Sequence, residues 1–180
     1  MALLTLLAST SAGSEIVLSP LVGGLTDSVG RKPVLLITVA SVFAANLATA
    51  VCPTVPLIAL SRFVSNLVVG IFFLSAGAIL ADRLRAEPAK LAAASGTLFA
   101  LVNGGFGLGI AASGLLPAGL SLRTRYGISA LVSLLGVGLA SRVKESLADA
   151  DRVPFQVRSF NPFAFTRLFF MGRAMRLLAV

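Results

Sequence analysis

Apolar residues fill most of the first 141 positions in long blocks, and the polar residues between them are gathered into short islands. The blocks run from about Ala2 to Leu25, Val34 to Val51, Leu57 to Ala81, Leu91 to Leu120 and Tyr126 to Ser141. The islands are GGLTDSVGRKP (23–33), CPTVP (52–56), DRLRAEPAK (82–90) and SLRTR (121–125). Blocks this long and this poor in charge predict five membrane-spanning helices. Helix is the expected state of each, because hydrocarbon offers no partner to an open backbone. The fifth block is short. At ~1.5 Å per residue it reaches about 24 Å, so Arg125 and Arg142 are expected to snorkel to the two interfaces. From residue 142 the pattern changes. SRVKESLADADRVPFQVRSF reads as a solvated linker, and NPFAFTRLFFMGRAMRLLAV mixes Phe and Leu with Arg167, Arg173 and Arg176. That mixture predicts an amphipathic, interfacial helix or the approach to a further span.

Composition agrees with the membrane reading. The hydrophobic share is 57% and the charged share 12%, against about 25% charged in soluble domains. There is no histidine, and Cys52 is the single cysteine. His-based acid–base catalysis, a disulfide framework and an ordinary zinc site are therefore not expected. No catalytic residue, metal or cofactor is assigned, and no phosphate-binding loop is present to couple ATP directly. The net charge of +8 reads as basic loops at a membrane face, not as a nucleic-acid surface.

The bases also orient the chain. With residues 23–33 in the cytoplasm, that side collects Arg31, Lys32, Arg83, Arg85, Lys90 and seven bases beyond residue 141, against Arg123 and Arg125 opposite. Twelve against two sets the expected topology. It also puts Met1 on the non-cytoplasmic side with no basic leader before Ala2–Ala8, so the expectation is a preceding helix outside this chain.

Several segments resemble the major facilitator superfamily. GGLTDSVGRKP is similar to its loop signature between the second and third helices, with Gly23, Leu25, Asp27, Gly30, Arg31 and Lys32 matching and Ser28 in place of the usual arginine. ALSRFVSNLVVG resembles the fourth-helix signature, with Arg62 kept and Asn66 where glycine is usual; GAILAD resembles the end of that helix. VKESL resembles the close of the sixth helix, and NPFAFTRL the central loop of the drug and tetracycline efflux type. The resemblance implies an all-α, multi-pass transmembrane bundle: helices two to six and the central loop, or part of one half of a transporter. It implies a small-molecule substrate, protons and the lipid bilayer as partners, together with a first helix and a second half. The expected activity is proton-coupled efflux of a small organic solute. A non-transporting membrane subunit, or a remnant of a transporter, is the alternative.

Candidate site residues follow. Gly23, Asp27, Gly30, Arg31 and Lys32 form the expected cytoplasmic motif. Gly30 permits a turn at positive φ, and the two bases are expected to face anionic headgroups. By resemblance, Asp27 meets a helix N-terminus of the other half, a latch for alternating access; a purely topogenic loop is the other reading. Glu15 lies twelve residues, ~18 Å, before Asp27 and so near mid-membrane. A buried acid there serves proton or substrate movement, or is satisfied by a Ser or Thr neighbour, or the helix begins later and leaves Glu15 outside. Arg62 and Asn66 share a helix face. Resemblance gives Arg62 a part in proton coupling, and outward snorkelling is the other reading. Asn103 joins these on the candidate pathway. It opens NGGFGLGIAASG, where Gly105, Gly109 and Ser113 recur every four residues as a helix-packing face. That stretch partly resembles the antiporter signature but lacks its Gly-Pro.

Overall fold

A computed structural model describes residues 2–117 and 119–155, with side chains from Gly13 onward apart from Glu15–Val17. The interfacial helix expected beyond residue 155, with Arg167, Arg173 and Arg176, lies outside the described residues. Five helices follow one another: α1 Ala2–Val29, α2 Arg31–Val51, α3 Val55–Leu84, α4 Pro88–Leu115 and α5 Leu122–Ser141. A short 3₁₀ turn, η1, spans Asp149–Asp151. Among the described residues there is no strand. Helices α2 to α5 are each long and apolar enough to cross a membrane.

The helix ends differ from the sequence expectation in ways that local chemistry explains. The 23–33 island is not a loop. It is helix on both sides of one residue, Gly30, whose φ of 115° and ψ of 159° are open only to glycine. Helix α4 starts at Pro88, where the missing N–H costs nothing. It stops at Leu115 and not Leu120, because Leu116 precedes Pro117 and is driven to an extended ψ of 135°. SLRTR is not a loop either. Ser121 caps α5 by accepting from Thr124 N–H at 3.2 Å, so α5 gains a turn. Its 20 residues reach ~30 Å and span the hydrocarbon unaided. Arg125 thus lies within α5, and it turns back to donate to the carbonyls of Leu120 and Pro117.

Helices α2 and α5 form the most extensive pair, and α3 packs against both α1 and α2. The α2–α5 approach is close: a Cβ on Gly136 would lie 3.3 Å from Val39. Asn46 donates to Ser133 Oγ across the same pair at 3.3 Å. Thr49 donates to Leu57 O and ties α2 to α3. The buried core is small. Leu35, Ile79 and Ala140 meet there, surrounded by Leu36, Val39, Phe72 and Val143. Leu101, Phe106 and Leu108 on α4 and Leu131 and Leu135 on α5 are exposed. Such a surface suits hydrocarbon, not water.

Helix α4 leans on α3, with Phe73 stacked on Phe99 at 4.6 Å. A cleft of about 180 Å³ opens among α2, α3, α4 and α5, walled by Val39, Val42, Val68, Phe72, Val102 and Ser133 among others.

Candidate functional site

Alternation of the helices brings the Gly30 joint, the α3–α4 turn and the segment after α5 to one end of the bundle. That end carries Arg31, Lys32, Arg83, Arg85, Lys90, Arg142, Lys144 and Arg152; the opposite end carries Arg123 and Arg125.

The chemistry of this rim centres on Arg31 and Glu145. Arg31 lies one turn after Asp27, and its guanidinium bridges two acids: Asp27 Oδ1 at 2.5 Å and Asp82 Oδ2 at 3.2 Å. Asp82 stands near the end of α3 and also accepts from Ser146 Oγ at 2.8 Å. Arg83, next to it, donates to Lys144 O at 2.9 Å. Arg31, expected to face headgroups, is instead turned inward, with its side chain 15% exposed. A guanidinium can serve two carboxylates at once because it presents several donors in a fixed plane.

Glu145 supplies what Gly30 lacks. As the residue before α2, Gly30 has no side chain to cap the open N–H groups there. The Glu145 carboxylate takes their place. It accepts from Arg31 N–H at 3.0 Å and Lys32 N–H at 3.2 Å, and from Ser146 and Leu147 N–H on its own turn. An anion at a helix N-terminus is also favoured by the macrodipole. Burial pushes the Glu145 carboxyl up, but these four backbone donors outweigh it and hold the pKa below the ordinary carboxylate range. The fit requires glycine at position 30. A Cβ there would sit 2.5 Å from Glu145 Oε2.

A carboxylate thus covers a helix N-terminus within this chain, with Glu145 as the acid and α2 as the helix; the contact expected of Asp27 is a separate one, with the other half. Asp27 keeps its side chain 49% exposed. Gly23, one turn before it, has open space where a Cβ would stand. Lys32 enters the rim through its backbone. The sequence reading did not pick out Asp82, Glu145 or Ser146 as site residues. GAILAD and VKESL show these acids at the ends of apolar blocks, but not the distant groups they meet.

The membrane-depth candidates fall elsewhere. Glu15 lies within α1, and its side chain is outside the described residues. Arg62 and Asn66 are both exposed on α3, on the face that continues one and two turns on to Val69 and Phe73. Asn103, one turn after Phe99, is exposed on α4 and donates to Phe99 O at 2.8 Å. The Phe73–Phe99 stack therefore joins the faces that carry Arg62, Asn66 and Asn103. Among the described residues no hydrogen bond or ion pair joins the three side chains. Gly105, Gly109 and Ser113 are exposed, and added Cβ atoms at Gly105 and Gly109 would meet nothing within 4 Å. That face does not pack within this chain. Counted along α4 it continues from Val102, one wall of the cleft.

A tetracycline resistance protein, class C, from Escherichia coli is 29% identical over 172 residues, covering 92% of this chain and 40% of that protein. The chain therefore spans well under half the length of that relative. No solved structure matches it. The sequence profile of the Major Facilitator Superfamily matches residues 1–179, and with its long apolar helices this makes the chain an integral, multi-pass membrane protein of that transporter family.

Proposed function

We propose that the chain is five helices of one half of a secondary transporter, and that the intact protein moves a small organic solute outward in exchange for protons. The observation that carries this reading is the rim. Two acids, one bridging arginine and a carboxylate-capped helix tie together α1, α2, α3 and the segment after α5. These contacts make one end of the half a stiff edge. Asp27 remains half-exposed on it and available to a positively polarised helix end across the interface. A contact of that kind forms when the end closes and breaks when it opens, as alternating access requires. The base distribution supports a cytoplasmic location for the rim.

The cleft and the glycine face support a sixth helix in the same half. Inverted three-helix repeats would pair α1 with α4, α2 with α5, and α3 with a helix that precedes α1. Helix α3 packs on α1 and α2. Its mate would therefore pack on α4 and α5, where the cleft and the Gly105–Gly109–Ser113 face stand open. Arg62, Asn66 and Asn103, with Glu15, are the residues proposed for the solute and proton path. The tetracycline name of the E. coli relative makes that drug the first solute to try.

The test is flux in everted membrane vesicles carrying the longer protein. An imposed proton gradient should drive solute accumulation, and an uncoupler should abolish it. Residues 1–180 alone should give none, since two halves are needed to enclose a path. Accumulation indifferent to the gradient across a series of lipophilic solutes would remove the proposal.

A further inference from the structure

Beyond α5 the chain does not leave the bundle. Glu145 and Ser146 fasten it to α2 and α3. After η1 it reaches α1, where Val153 N–H donates to Asp27 O at 3.1 Å. The Phe155 ring lies over Gly24: a Cβ on that glycine would be 3.4 Å from Cε2 and 3.5 Å from Cδ2. We propose that residues 142–155 are a strap, clasped by Phe155 on Gly24, and that the strap positions Asp27. The positioning role rests on the latch reading above; the strap itself does not.

Three features carry the inference. Asp27 O is among the last carbonyls of α1, which have no partner within the helix, so Val153 N–H fills an open acceptor. Gly24 and Asp27 are three residues apart and share a face, so the ring and the hydrogen bond grip α1 at two successive levels. The grip takes only the backbone of Asp27. Its carboxylate is left to Arg31 and to the outside. A helix end held in this way keeps its orientation while its charged group, paired with Arg31, stays half-exposed toward a partner. Phe155 and Val153 are thus positioning residues that act through Asp27.

Hydrogen exchange of the 148–155 segment in the whole chain, held in lipid nanodiscs, reads the strap directly. Gly24→Ala should leave exchange slow, since its Cβ meets only ordinary contact. Gly24→Leu should lift Phe155 and speed exchange at Val153 by at least about tenfold. Phe155→Ala combined with Gly24→Leu should slow it again, because the leucine then fills the space the ring has left. Unchanged exchange in Gly24→Leu would overturn the strap. In the longer transporter, Phe155→Ala should lower flux and Phe155→Tyr restore it; native flux with a freely exchanging strap would overturn the positioning role. Asp27→Asn keeps the backbone carbonyl, so exchange should stay slow while flux falls. Slow exchange with normal flux in that variant would remove the latch and leave the strap standing.

Discussion

Replacing Gly30 by alanine tests the rim at its tightest point. Two costs are separable. At φ 115° and ψ 159° an L-residue is strained by about 1–3 kcal/mol. The new Cβ would also lie 2.5 Å from Glu145 Oε2, so the carboxylate must move. Moving it breaks at least the hydrogen bond from Lys32 N–H, at 3.2 Å. A hydrogen bond to a charged group contributes about 1.5–3 kcal/mol. The expected loss is therefore about 2.5–6 kcal/mol. Glu145→Ala removes the carboxylate and, with it, the collision. In the double variant Gly30→Ala costs only the backbone strain, so the two changes should be less than additive by about 1.5–3 kcal/mol. Equilibrium unfolding in mixed detergent micelles, followed by far-ultraviolet circular dichroism, measures all three variants. Costs that add to within about 0.5 kcal/mol would show that Glu145 does not lie against Gly30, and the capping account would fail.

Two further outcomes are expected. Glu145 has a lowered pKa in the folded chain, so its contribution is complete above the ordinary glutamate value of ~4.3 and is lost as pH falls through the lower folded value; acid titration of stability should show this loss, and Glu145→Gln should flatten it. Asn46→Ala deletes the hydrogen bond to Ser133 between α2 and α5 and should cost about 0.6 kcal/mol beyond packing, the average for such bonds in membranes, as read from a double-mutant cycle with Ser133→Ala.

The helices were legible in the sequence because each apolar block is long, uniform and bounded by charge, Gly or Pro. Ends set by local chemistry, such as Pro88 and Pro117, were in reach of the same reading. The Gly30 joint was harder. An eleven-residue island rich in Gly and charge suggested a loop, but Asp27 and Arg31 close an ion pair one turn apart and carry helix up to the glycine on both sides. The capping acid was out of reach. Glu145 is 114 residues from Arg31, and no local pattern tells which distant carboxylate will cover an uncapped helix start. Arg31 was misdirected for the same reason: its second acid, Asp82, is 51 residues away. The glycine stripe on α4 was visible in the sequence, whereas the cleft beside it follows only from how α2, α3, α4 and α5 are placed.

On the proposed reading the rim is a working latch and not only an anchor for topology. Asp27→Asn in the proposed longer transporter tests it most directly, with solute flux under a proton gradient measured beside the amount and sidedness of inserted protein. Orientation rests on the bases and not on this acid, while the contact with a helix end needs the charge. The account predicts native insertion and sidedness, with flux reduced at least about tenfold, equivalent to about 1.4 kcal/mol or more. Native flux at equal insertion would contradict it and leave the Gly30 joint as a device for orienting the chain.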